Sequence, residues 1–220
     1  YGNNGATGSV KDYFKETSFG KLNLETTIVG PYKLPNNRDF YGAPLIENGI
    51  IVQNDANPWQ MIIDGCKLAA QDIDFSDFDG DKDGLVDGIH VIYAGLGQAN
   101  GGNVNTVWPH RSQINLILDN VTIKDYSCSA EMKPSGMSGI GTICHELGHV
   151  LGLLDYYDTD YATNGITPTL GTLDIMDIGS YNNDENTPPL YNAFSRIRLG
   201  WVDPIILNAG SLHEYTAYPM

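Results

Sequence analysis

Residues 143–158 read "ICHELGHVLGLLDYYD", two histidines and three acids set into a stretch that otherwise has the pattern of a buried helix. Ile140, Ile143, Cys144, Leu147 and Leu151 recur at helical spacing, which predicts a helix over 139–151 with that stripe facing the core and Gly152 as its terminator. His145 and His149 stand four residues apart, so one turn separates them and both imidazoles leave the helix on one side, away from the apolar stripe. Desolvating such groups without partners costs on the order of 2–7 kcal/mol each. A metal ion supplies the partner: two neutral imidazole nitrogens on adjacent turns fit a zinc ion at roughly 2.0–2.1 Å. Gly152 lets the chain turn after the helix and brings Asp155 in as third ligand, with a fourth position open to water, the mark of a catalytic rather than a structural site. Glu146, beside the first histidine, is placed to take a proton from that water. The competing reading is a helix whose histidines pair with nearby acids and bind no ion.

Composition narrows the function class. The 220 residues are enough for one fairly large domain, or two lobes around a cleft, with a core that needs no disulfides. A net charge of −15 excludes nucleic acid and anionic membrane as partners and favours bound cations. No apolar run approaches the ~20 residues of a membrane span. Tyr1 is not an initiator methionine, so the sequence reads as a fragment or processed form whose targeting segment is missing. Cys66, Cys128 and Cys144 allow at most one disulfide, with Cys128–Cys144 left open, and no CxxC pair points to a cysteine metal site.

Around the central helix the pattern is α+β. A short helix is expected over Val10 to Thr17 and a strand over Leu22 to Val29, stopped by Gly30-Pro31. A second helix starts at Asn57 and Pro58, with Trp59, Ile62, Ile63, Cys66 and Ala70 on one face. Strands follow over 88–95 and from Val121 to Ser127. A closing helix puts Leu190, Phe194 and Ile197 on one face and stops at Gly200.

A second cation site is written in "DGDKDGLVDG". Asp79, Asp81 and Asp83, then Gly84, the Leu85 carbonyl and Asp87, reproduce the first nine positions of a calcium loop, with Asp77 as a possible addition. His90 stands where an EF-hand has its bidentate glutamate, so the loop reads as a lone structural calcium site, which extracellular calcium would keep filled. The competing reading is a solvated acidic turn. Asp158 and Asp160 are read as loop acids or as ligands of another cation.

"HELGHVLGLLD" resembles the HExxHxxGxxD signature of the M6 peptidases, the immune-inhibitor-A-like metalloproteases of bacteria, grouped with the metzincin-like zincins. Related families carry histidine where this chain has Asp155. "YFKETSFGKLNL", "DFDGDKDGLVDGIHVIYAG", "VWPHRS", "LDIMDIGSYN" and "PPLYNAFSRIRLGW" resemble the family in the same order, covering nearly the whole chain. The resemblance implies one catalytic domain over 1–220, with an upper lobe of twisted mixed sheet and helices to about residue 152 and a smaller lower lobe from 153. It implies that Met176 forms the hydrophobic floor of a methionine turn beneath the zinc, and it makes Tyr181 a candidate to stabilise the oxyanion.

The expected protein is thus a secreted bacterial zinc endopeptidase, monomeric, acting on proteins or peptides. Two rivals are a calcium-stabilised binding or adhesion module with a vestigial zinc site, and a non-proteolytic zinc amidase. "GLGQAN" lacks the third glycine and following helix of a dinucleotide loop, His110 is given no catalytic role, and no nucleophile-elbow sequence occurs.

Overall fold

Ser9 and Asp12 open the first helix by capping each other: the Ser9 hydroxyl accepts the Asp12 N–H at 3.1 Å and the Asp12 carboxylate accepts the Ser9 N–H at 3.0 Å. This helix, α1 (Val10–Thr17), buries Tyr13, Phe14 and Thr17. The computed structural model describes residues 7–159, 169–207, 209, 210, 214 and 216; Asp160 therefore lies outside the described residues. The chain continues through α2 (Arg38–Gly42), the hairpin of β1 (Leu45–Glu47) and β2 (Ile50–Gln53), α3 (Pro58–Ala69), β3 (Ile89–Leu96), β4 (His110–Leu118), β5 (Val121–Lys133), β6 (Gly136–Met137), α4 (Gly141–Val150) and α5 (Ala193–Arg198). The class is α+β with a mixed sheet.

The long strand β5 is the centre of that sheet. It pairs in parallel with β3, antiparallel with β4, and folds back on itself through β6. Val91 and His110 both stand beside Cys128 in register, while His90 and Arg111 both stand beside Ser127. Because side chains alternate across a strand, one face presents Val91, Tyr126 and Cys128 to Met61, Ile62 and Cys66 of α3, forming the first core. The other face, with His90, Ser127 and Arg111, is turned away from it. A second core gathers Tyr13, Phe14, Cys144, Leu153, Ile175, Met176, Tyr191 and Trp201. Each fully buried large side chain there contributes about 1.5–3 kcal/mol. The helix α4 packs against β4 and β5 on one side and sends Cys144 into the second core on the other, so it is held between two apolar bodies.

Several expectations need correction. No strand forms over Leu22 to Val29. Leu22 and Leu24 pack on the second core and Val29, Tyr32 and Leu34 on the first, so the segment is an extended strap joining the two. Its alternation breaks at Glu25, and Ile28 is 93% exposed. In α3 Ile62 and Cys66 are buried as expected, together with Pro58, Met61 and Ala69, but Trp59 is left exposed. Asn57 does not cap that helix, because its amide donates to the Phe40 carbonyl at 2.8 Å. In α4 the expected stripe faces the second core through Ile140, Cys144 and Leu147, but Leu151 ends up exposed and the opposite side, with His145 and Glu146, is buried as well. In α5, Phe194 is 63% exposed and Arg196 is buried, the reverse of the apolar-face expectation: the Arg196 guanidinium donates from Nε to the Tyr191 carbonyl at 2.5 Å and lies over the Phe19 ring. All three cysteines are free and buried.

Candidate metal centre

The position of α4 is fixed by contacts that leave no room for side chains. A Cβ on Gly141 would lie 1.8 Å from the Ser180 carbonyl oxygen, and one on Gly148 would meet Met176 Sδ at 2.7 Å and Tyr191 Oη at 2.6 Å. Tyr191 in turn donates its hydroxyl to the Cys144 carbonyl at 2.8 Å. The start of the helix has no local side-chain cap. Glu185 serves instead from 46 residues away: its buried carboxylate accepts the Gly139 N–H at 3.1 Å, the Thr142 hydroxyl at 3.1 Å and the Asn100 amide at 2.9 Å. Its backbone carbonyl also accepts the Gly141 N–H at 2.9 Å. A carboxylate here complements the positive end of the helix as well as its unpaired N–H groups.

From this platform His145, His149 and Asp155 converge. His145 donates its Nδ1–H to the Ile175 carbonyl at 2.7 Å, and His149 donates its Nδ1–H to the Leu153 carbonyl at 2.9 Å. Those bonds fix the tautomer and aim both Nε2 lone pairs into one space. The two Nε2 atoms are 3.1 Å apart, and each is 3.2 Å from Asp155 Oδ1. Oδ1 is buried and makes no hydrogen bond of good geometry. Gly152, at φ +92°, makes the turn that returns Asp155 to the helix.

Three electron-pair donors face one another with no proton between them when both imidazoles are neutral. The electrostatics express the same demand for positive charge. Burial opposes the charge of His149, yet Asp155 and the Leu153 carbonyl hold its pKa above the usual value. Burial would raise Asp155, but the two imidazoles beside it hold it well below the ordinary carboxylate range. The nitrogen and oxygen donor set suits a divalent ion of the zinc type.

Glu146 lies at the floor of a cleft of about 420 Å³ that the three donors share. Burial pushes its pKa up to about 7, against the lowering effect of His145 and His149 and with Asp155 adding to the rise. A carboxyl with such a value can both take and return a proton near neutrality. One rim of the cleft is Trp108 to Arg111 at the start of β4; the other includes Leu154 and Tyr157.

Met176 is fully buried against Gly148, the residue before His149, and Ile175 supplies the carbonyl that orients His145. Tyr181 is 51% exposed and lies outside the residues that line the cleft. Tyr157 lines it instead, with its ring parallel to that of His145 at 6.5 Å. His110 stands at the rim as a satisfied imidazole: its Nδ1–H donates to the Trp108 carbonyl at 2.6 Å and its Nε2 accepts the Tyr126 hydroxyl at 2.9 Å. Sequence reasoning missed Tyr157, Arg111 and Glu185. Adjacency to Asp155 was a usable signal for Tyr157; the other two carried none.

In the acidic loop the carboxylates of Asp79, Asp81 and Asp83 gather within 4.8 Å of one another, while Asp87 is not part of that group. Asp79 accepts the N–H groups of Asp83 and Gly84 at 3.0 Å, and Gly84 takes φ +86°. The Leu85 N–H is turned to Asp83 at 2.8 Å.

A two-histidine, one-carboxylate centre on a buried helix, with a neighbouring glutamate and an open cleft, defines a metallopeptidase catalytic domain. Residues 1–202 match the family described as immune inhibitor A peptidase M6, catalytic domain, and the chain belongs to it. Immune inhibitor A of Bacillus thuringiensis subsp. alesti is 29% identical over 186 residues, covering 70% of this chain and 26% of that protein. The pre-pro-metalloprotease PrtV of Vibrio cholerae serotype O1 is 24% identical over 189 residues, covering 71% of this chain and 20% of its own length. The chain thus spans about a quarter or less of the curated relatives it matches.

Proposed function

We propose that this domain is the catalytic unit of a secreted zinc endopeptidase in which His145, His149 and Asp155 hold the ion and Glu146 is the general base. The observation that carries the reading is the convergence of the three donors within 3.2 Å of one another beside Glu146 in a cleft. When bound, zinc supplies a Lewis acid that makes water a stronger acid and polarises a carbonyl. Glu146 accepts the proton of the attacking water on its carboxylate and returns it to the departing amine, a shuttle that its raised pKa favours. Burial of Glu146 and His145 excludes bulk water from that transfer. The segment through Met176 acts as the methionine turn of a metzincin-like fold, supporting the helix without ligating the ion. Membership of a peptidase family weighs against the adhesion-module and amidase readings.

The wider reading is one catalytic domain over 1–220, with upper and lower lobes meeting near residue 152 and acting as a monomer on protein or peptide substrates. The bacterial relatives, one of them named a pre-pro-metalloprotease, motivate the extracellular placement, and no helix among the described residues is long and apolar enough to cross a membrane. A structural calcium ion is proposed at Asp79, Asp81 and Asp83, with the Leu85 carbonyl and Asp87 completing the set. Replacing Glu146 by Gln tests the mechanism: casein hydrolysis is expected to fall by about 10²–10⁴-fold while zinc per chain stays near one. Hydrolysis at the native rate would refute the assignment of the base.

A further inference from the structure

We infer that Arg111 is a specificity residue of the cleft, selecting peptides that carry an aspartate or glutamate near the scissile bond; this rests on the endopeptidase reading above. Arg111 begins β4, whose described pairing is to β5 alone, so the start of this strand forms the cleft rim. It is the only lysine or arginine among the described residues that line the cleft.

The guanidinium is held but not saturated. Nη2 donates to Asp125, which fixes one edge of the plane, while the Nε–H is buried and has no acceptor among the described residues. The side chain remains 31% exposed and that of Asp125 25%. The pair is half-buried, and the exposed part of the guanidinium stays open to a second acid while Asp125 orients it. Five donors in a rigid plane leave a second edge for an incoming carboxylate, the geometry in which arginine binds acids best.

Charge makes the selection local. The chain carries −15 overall, so an acidic side chain is repelled over most of the surface. Beside Arg111 the sign reverses. Arg111 stands on the rim with Trp108, Pro109 and His110, outside the set of three donors, which gives it a side chain of the substrate to hold.

The test uses the zinc-loaded protein and fluorogenic peptides with neutral flanks that place Glu or Gln at each of three residues on either side of the cut. One position is expected to favour Glu over Gln by about tenfold in kcat/KM. The ratio should fall to about one in Arg111→Gln and below one in Arg111→Glu. Ratios taken within each variant are unaffected by its yield of folded protein. No position preferring Glu, or a preference that persists in Arg111→Gln, would overturn the inference. Failure of the underlying peptidase reading looks different: the Gln peptides would not be cut by the native protein either.

Discussion

The Nε2 atoms of His145 and His149 lie 3.1 Å apart because each ring donates its other nitrogen to a carbonyl, that of Ile175 for one and Leu153 for the other. Without a cation the site brings lone pairs and a carboxylate together at a cost, so an ion bound there would act as a folding ligand. At a metal concentration ~1,000 times Kd the native state gains about 4 kcal/mol. For a domain of this size that corresponds to a rise in Tm of roughly 8–16 °C. Calorimetry before and after chelation should show this difference in the native protein and little of it in Asp155→Ala.

Glu185 is expected to be among the most sensitive residues outside the centre. Its carboxylate satisfies Gly139, Thr142 and Asn100, and its φ of +64° shows a backbone held in place by its surroundings. Glu185→Ala strands those donors and removes the charge that complements the helix, a loss of about 3–5 kcal/mol. Glu185→Gln keeps one acceptor oxygen and should lose about half as much, read as the shift in urea midpoint.

His90 makes the fold acid-sensitive. Its two ring nitrogens lie 2.8 Å from the Ser127 and Ser129 hydroxyls, and burial lowers its pKa to about 4. A base with a depressed folded pKa contributes stability that is present in full above its unfolded value near 6.5 and is lost as pH falls toward 4. The loss is at most about 3 kcal/mol, less because the ring is only partly shielded. Urea midpoints between pH 7 and pH 4 should fall less steeply in His90→Gln than in the native protein.

The centre was legible where local spacing determines geometry. Four residues separate the histidines of one helical turn, and a glycine three residues past the second makes the turn that brings Asp155 back, so sequence alone placed all three donors together. What sequence hid depends on distant partners. Glu185 caps a helix 46 residues upstream, and Arg111 reaches the cleft only because β4 occupies the sheet edge beside a strand that follows it. Local alternation over Leu22 to Val29 suggested a strand, but regular pairing requires a neighbour, and two cores pulling on opposite ends made a strap instead. The apolar spacing of α5 misled for a related reason, since the helix buries a paired arginine.

Asp55 gives a pH effect of opposite sign. Burial raises its pKa to about 6, although the Trp108 N–H bonded to Oδ2 at 3.0 Å pulls the other way, and Oδ1 has no hydrogen-bond partner among the described residues. A carboxyl with a raised folded pKa contributes stability that is complete below about 4 and is lost as pH rises through 6. Between pH 4 and pH 7.5 the stability of Asp55→Asn relative to the native protein should therefore rise by about 2–3 kcal/mol. A constant difference across that range would show that Asp55 ionises freely.

The most direct measurement is anomalous diffraction on either side of the zinc absorption edge from crystals grown with equimolar zinc. The expected result is one strong anomalous peak at about 2.0–2.1 Å from Nε2 of His145 and of His149, with a carboxylate oxygen of Asp155 as third protein ligand. A peak elsewhere, or an ion at the histidines with Asp155 turned away from it, would contradict the account.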